Sequence, residues 1–208
     1  MFAEEGDRAG SKFKQEDQSR RLANLMNKGP IFGEAITVPK LLECVKHVLG
    51  PKIKLSSCNA RSVNARSTVT QPLHSDMAAV ADGRGYWVAN IVWMLDDFSA
   101  DNGAVRLIPG SHRWGALPKE KLANPTTPHP DQILLIGKRG TILVMNPHIW
   151  HGGLANRTSA PRTALQQYQK QLLRPSKQLS ARSCAICWPS TIRRTTRSVR
   201  VPPSEVGF

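Results

Sequence analysis

From residue 53 onward the chain exchanges helical periodicity for short β-rich runs separated by turn clusters, and this switch limits the folds open to it. Ile53–Ser57, Tyr86–Leu95, Ala104–Ile108 and Thr141–Asn146 are apolar or β-branched enough to read as strands. Between them lie Ala81-Asp82-Gly83, Asp101-Asn102-Gly103, Pro109-Gly110-Ser111 and Lys138–Gly140, each rich in turn residues. The preceding segment reads as helical. Residues 16–28 put Leu22, Leu25 and Met26 on one face before Gly29-Pro30 stops them. Pro39 then opens a clearer helix, with Leu41, Leu42, Val45, Val48 and Leu49 as its apolar stripe and Gly50-Pro51 as its end. Helices first and strands after, with no βαβ alternation, predict antiparallel sheets with helices on one side. The expected fold is mainly β, a jelly roll (double-stranded β-helix) with supporting N-terminal helices. Residues 115–132, carrying Pro118, Pro125, Pro128 and Pro130, read as a long loop of the kind that often covers a site.

Composition matters chiefly for what it excludes. A chain of 208 residues suits one domain, and 40% hydrophobic with 21% charged residues is globular composition. The net charge of +14 invites a nucleic-acid role, but its location argues otherwise. Arg174, Lys177, Arg182, Arg193, Arg194, Arg197 and Arg200 face only Glu205, so +6 of the +14 lies in a Ser/Thr/Arg/Pro segment at 174–208. That segment reads as a solvated, disordered tail, and no nucleic-acid-binding motif accompanies it. No apolar run approaches the length of a membrane span, and the first residues lack a secretory apolar core. Cys44, Cys58, Cys184 and Cys187 form no disulfide-like framework, so a reduced, cytoplasmic protein is expected. Cys184-Ala185-Ile186-Cys187 has no second pair beside it and reads as incidental.

Chemistry concentrates in two short segments. In Gln71-Pro72-Leu73-His74-Ser75-Asp76 an extended backbone turns His74 and Asp76 to the same side, offering an imidazole and a carboxylate together. Such a triplet arises often by chance, so a third ligand decides its meaning. His151, in Asn146-Pro147-His148-Ile149-Trp150-His151-Gly152-Gly153, is the best candidate, at a strand end with permissive glycines behind it. Two histidines and one carboxylate make the facial triad that leaves positions open on Fe(II). His148, three residues from His151, turns to the opposite face, and His47 and His129 lack metal-like neighbours. Arg162, eleven residues past His151, returns towards the metal if the next strand starts there, and its guanidinium suits a carboxylate. Arg157 reads as solvent-facing.

QPLHSD, WVANIVWMLDDFSADNGAVRLIPGSHRWG and GTILVMNPHIWHGGLANRTSAPRTAL, in that order over about residues 70–165, resemble the phytanoyl-CoA dioxygenase family of Fe(II)/2-oxoglutarate oxygenases. The resemblance implies iron held by His74, Asp76 and His151, and 2-oxoglutarate held through its distal carboxylate by Arg162. Gln71 matches a position that touches the co-substrate in some members. Asn90 and Trp93 are candidates to line the pocket, with core packing as the competing reading. Asn102-Gly103 and Pro109-Gly110-Ser111-His112 read as turn geometry, and His112 as no ligand. The implied reaction couples O2 and 2-oxoglutarate to hydroxylation of a small organic substrate, releasing succinate and CO2, with ascorbate as a reductant. Asp76 argues against the halogenating branch, which replaces the carboxylate with alanine or glycine to admit chloride.

Three departures from the family accompany these motifs. The chain starts close to its first helices, Val105 stands where many relatives carry threonine, and Gln166-Gln167-Tyr168-Gln169-Lys170 follows Leu165 where members run a fuller final strand. The expected organisation is therefore one oxygenase domain over residues 1–173, shortened at its N-terminus and short of a late strand, then the basic tail. The alternative function is a truncated, catalytically impaired member. A missing strand would leave a sheet edge unpaired beside the metal cleft.

Overall fold

The computed structural model describes residues 1–5, 16–83 and 85–172. The tail at 174–208, with Cys184 and Cys187, lies outside them. Among the described residues there are eight strands: β1 (Ser19–Leu22), β2 (Ile53–Val63), β3 (Val88–Met94), β4 (Val105–Leu107), β5 (Ile133–Leu135), β6 (Ile142–Met145), β7 (His151–Gly153) and β8 (Arg162–Gln171). Four helices accompany them: α1 (Phe2–Glu5), α2 (Ile31–Ile36), α3 (Pro39–Leu49) and α4 (Pro118–Lys121). The strands form a large sheet of order β1-β2-β8-β3-β6 and a small one of order β5-β4-β7, all pairs antiparallel. This is the jelly-roll architecture that the strand pattern predicted.

Alternation along the strands separates two apolar layers. Ala89 and Ile91 of β3 face outward and pack with Leu41, Cys44, Val45, Val48 and Leu49 of α3, the stripe read from the sequence. Pro39 sits in the first turn of that helix, and Gly50, at φ 83, ends it in a conformation that favours glycine. Val92 and Met94 point the other way and meet Leu107, Leu135, Met145 and Ile149 between the sheets.

Residues 16–28 are not a helix. Asn24 adopts a left-handed backbone (φ 54), which divides the segment into β1 and a single 3-10 turn at Leu25–Asn27. The strand gains a ladder with β2, Leu22 opposite Ala60, while Leu22 and Leu25 reach a core with Cys58 and Leu165. Sheet pairing outweighs the helical spacing of three apolar residues, and Met26 is left exposed. β2 also runs well past Ser57, with a bulge between Leu55 and Ser57.

β8 continues through Gln166–Gln171, the stretch where the sequence departs from its relatives. It is paired on both sides, Leu165 lying opposite Ala60 of β2 and Trp93 of β3. Among the described residues the edges of the large sheet are β1 and β6. The segment 115–132 contains α4 and is fastened at several points. Buried Arg106 donates to the carbonyls of Thr127 (2.7 Å) and Pro125 (2.9 Å), and the Trp150 indole donates to Ala116 (2.9 Å). These bonds make it a fixed rim.

Candidate metal centre

Backbone pairing brings the two histidine segments together before any side chain acts. His74 and His151 exchange both of their main-chain hydrogen bonds at 2.9 Å, an isolated bridge that sets one ring against the other, centroids 4.6 Å apart. Gln71 N–H donates to Gly153 (2.8 Å) on the same seam, and Asp76 N–H to Pro147 (3.0 Å). The glycines allow this approach. A Cβ on Gly152 would stand 3.0 Å from the carbonyl oxygens of both Gln71 and Pro72. After Asp76 the chain turns through Met77 (φ 56) and Ala78 (φ 50), two non-glycine residues in the left-handed region, so the carboxylate sits on a strained turn.

The side chains converge. His74 Nε2 lies 3.7 Å from Asp76 Oδ1, His151 Nε2 lies 3.6 Å from Oδ2, and all three ligating atoms fall within 4.8 Å of one another. Each ring's Nδ1 faces a carbonyl, Pro72 for His74 (2.9 Å) and Ile149 for His151 (2.8 Å). A proton on Nδ1 satisfies those carbonyls and turns the Nε2 lone pairs to the shared centre, the arrangement a metal-bound histidine needs. Asp76 Oδ2 is buried without a hydrogen-bond partner among the described residues. Burial disfavours its charge, yet His151 and His74 beside it hold the carboxyl well below the usual range. Burial likewise opposes a charged His151, and the Asp76 carboxylate outweighs it and raises the imidazole. An orphaned carboxylate oxygen between two oriented imidazoles fits a divalent cation. His74 is the most open of the three, its side chain 39% exposed.

Arg162 starts β8 and is 2% exposed. It donates to the carbonyls of Gly103 and, at 3.4 Å, Asn102, and its guanidinium lies 4.1 Å from the Phe98 ring centroid. Gly103 (φ +84) closes a turn that a side chain would strain, which explains the Asn-Gly pair in the sequence. Burial and then the nearby Arg61 push the guanidinium down to about 9, with Asp96 opposing. It remains charged at neutral pH and is short of compensating anions.

The other candidates divide. Gln71 joins the site, its side-chain oxygen accepting from Gly153 N–H at 2.8 Å. Asn90 is buried on the inner face of β3 with its Oδ1 unpartnered, opposite Tyr168 of β8. Trp93 does not join them. It packs outward, against the α3 layer and the Cys58–Leu165 cluster, because the odd positions of β3 face away from the small sheet. His148 accompanies Tyr86 and Trp87 and bonds Asn146 Oδ1 (2.7 Å), apart from the triad. His112 is buried against Tyr86, His47 and Arg157 are exposed, and none of them enters the ligand group. Ser111 links the Pro-Gly-Ser-His turn to the centre, since its hydroxyl accepts from Trp150 N–H at 2.8 Å.

Sequence reading missed four residues here. Tyr168 lies six past Arg162 on one strand and therefore on the same face; burial, then the Asp76 carboxylate, push its phenol up. Arg61 follows from alternation once β2 is carried to Val63, placing it opposite Ala164. Arg21 and Glu16 lie in the segment read as a helix.

The phytanoyl-CoA dioxygenase (PhyH) family model matches residues 2–164. "Dioxygenase trt7" of Aspergillus terreus is 40% identical over 163 residues, covering 72% of this chain and 53% of that protein. "Dioxygenase af480" of Aspergillus fumigatus is 27% identical over 148 residues, covering 69% and 46%. The chain thus spans about half the length of these relatives. Among solved structures, HygX from Streptomyces hygroscopicus with nickel and 2-oxoglutarate bound superimposes with a TM-score of 0.64 at 18% identity, over 76% of this chain and 71% of that one. The α-ketoglutarate-dependent epimerase SnoN from nogalamycin biosynthesis gives 0.58 at 16%, over 74% and 61%. At these identities the likeness speaks for the fold.

Proposed function

Because this chain belongs to the phytanoyl-CoA dioxygenase family, we propose that it is an Fe(II)- and 2-oxoglutarate-dependent oxygenase with His74, Asp76 and His151 as its iron ligands. One observation carries the reading: two imidazoles, each oriented through Nδ1, and an unpartnered buried carboxylate oxygen share one centre. Iron held there would supply O2 activation coupled to oxidative decarboxylation of 2-oxoglutarate to succinate and CO2.

The residues around the centre have separable tasks. The His74–His151 backbone bridge fixes the spacing of the ligands, so little reorganisation accompanies metal binding. Arg162, fixed by Gly103 and Phe98 and short of negative charge, anchors the distal carboxylate of the co-substrate. Asn90 and Tyr168 give the inner wall of the large sheet a polar lining beside Asp76. A small organic molecule meets the metal from the His74 side, the open one, and hydroxylation of a C–H bond is the proposed outcome.

The test is anaerobic titration of the Fe(II)-loaded protein with 2-oxoglutarate, followed by calorimetry and by the visible charge-transfer band of the chelate. His74→Ala and Asp76→Ala should remove metal binding and succinate formation together. Arg162→Ala should keep the metal and weaken 2-oxoglutarate by about tenfold or more, the scale of a lost charge-assisted pair. A folded wild-type protein that binds iron but shows no 2-oxoglutarate chelate would overturn the assignment.

A further inference from the structure

The second cationic cluster of the inner wall already holds a carboxylate, and it comes from the chain itself. Glu16 accepts from Arg21 Nη2 at 2.7 Å, Arg61 Nε at 2.5 Å and Gln71 Nε2 at 3.0 Å. Its donors lead directly to the metal centre. The same Gln71 amide accepts from Gly153 N–H through its oxygen, and Gly153 is two residues past His151. Arg61 lies opposite Ala164, two residues from Arg162 along β8 on the same face, close enough for the two guanidinium groups to repel. Three arginines therefore line one wall, and Glu16 answers two of them.

We infer that Glu16 is a tethered competitor of the dicarboxylate co-substrate, so that its withdrawal sets co-substrate affinity. The inference rests on the oxygenase reading above. Its chemical basis is a duplication: the glutamate side chain, two methylenes ending in a carboxylate, reproduces the distal half of 2-oxoglutarate. The cluster that holds it adjoins Arg162, to which the oxygenase reading assigns the distal carboxylate. A second carboxylate entering at Arg162 while Glu16 stays on the adjoining Arg61 would meet like charge, whereas departure of Glu16 frees Arg21, Arg61 and Gln71 together.

The fold allows that departure. Among the described residues Glu16 precedes β1, an edge strand paired only with β2; Ser19 donates to the Glu16 carbonyl from its N–H at 3.2 Å and its hydroxyl at 3.3 Å, and Gln18, clasped to Asn64 and Thr68, marks where the fixed chain begins. The core clusters hold Leu22 and Leu25, beyond the segment that must move. Only the fraction of molecules with Glu16 withdrawn would be ready for co-substrate, and apparent affinity is reduced by that fraction. A competitor attached a few residues from its site acts at an effective concentration in the millimolar range, enough to matter against a free metabolite.

The experiment compares the full chain with Glu16→Gln and Glu16→Ala, each loaded with Fe(II) without oxygen and titrated with 2-oxoglutarate by calorimetry. Both variants should bind co-substrate about tenfold more tightly with metal affinity unchanged, reflecting loss of a multiply bonded carboxylate. Hydrogen exchange of the wild type supplies a readout that needs no variant. Amides of residues 16–19 should exchange faster when 2-oxoglutarate is added, because Glu16 is displaced and its carbonyl leaves Ser19 N–H. Equal or weaker binding in the variants, or greater protection of residues 16–19 on binding, overturns the inference and leaves the oxygenase reading standing. Absence of 2-oxoglutarate binding in wild type and both variants overturns the two together.

Discussion

Burial pushes the His112 imidazole down to about 4, and neighbouring Arg113 pushes it the same way. Its Nδ1 is buried and has no hydrogen-bond partner among the described residues. The unfolded chain takes up that proton near the ordinary value of 6.5, while the folded chain resists it until about 4. Stability from this site is therefore complete above about pH 6.5 and is lost as pH falls towards 4, a loss of about 3 kcal/mol at 1.36 kcal/mol per unit. Urea midpoints measured from pH 7.5 to 4 should fall steeply for the wild type and more gently for His112→Gln; parallel curves would remove His112 as the cause. At this scale the sequence was most legible where chemistry is local. His74 and Asp76 share a face by spacing alone, and the paired glycines after His151 announce a close backbone approach. For Trp93 core packing, the competing reading, holds, because its offset of three from Asn90 sends the two to opposite faces of β3. Glu16 and Arg21 were invisible because their meaning depends on a strand pairing with residues 60–63.

Strands of the small sheet are only three residues long, and short strands carry little sequence signal. That is why β5 and β7 escaped prediction, while α3, with a full apolar stripe and both end signals, did not. β7 nevertheless carries His151, one of the proposed ligands, and its position depends on a bare backbone. Gly152→Ala would drive a Cβ into two carbonyl oxygens that cannot swing aside, separating the His74 segment from His151. Gly153→Ala would meet chiefly the Gln71 side-chain oxygen at 2.9 Å, which can rotate away. Fe(II) affinity should thus fall about tenfold or more in the first variant and change little in the second, as expected for misplaced versus retained ligands. Equal metal affinities in the two would contradict this account of the seam. Arg106 supports the same element from behind, its guanidinium bonding the Gln71 carbonyl (3.1 Å) together with the rim carbonyls. A buried arginine bonded to carbonyls alone is invisible in a motif, since nothing in the spacing distinguishes it from a surface charge.

Across the whole molecule the site straddles the two sheets. Arg162 and Tyr168 belong to the large one, and His151 to the small one. A ligand held by Arg162 and by metal at once ties the sheets together, so binding should stabilise globally. Differential scanning fluorimetry should show 2-oxoglutarate raising Tm only when a divalent metal is present, and by more than metal alone. An equal rise without metal would place the co-substrate elsewhere. Overall architecture was legible because a jelly roll follows from strand number and the lack of crossover helices. Strand order was not, since pairing of β2 with β8 joins segments that share no local signal. That order has a consequence for biosynthesis. β2 and β3 are not hydrogen-bonded to each other; β8, made after every other described strand, fills the gap between them. While residues 162–171 remain inside the ribosome, the emerging chain holds two strands with unsatisfied facing edges and an incomplete cleft. Completion of the large sheet, and with it of the proposed metal cleft, is thus a late event of synthesis, and until then the open strand edges are exposed to mispairing.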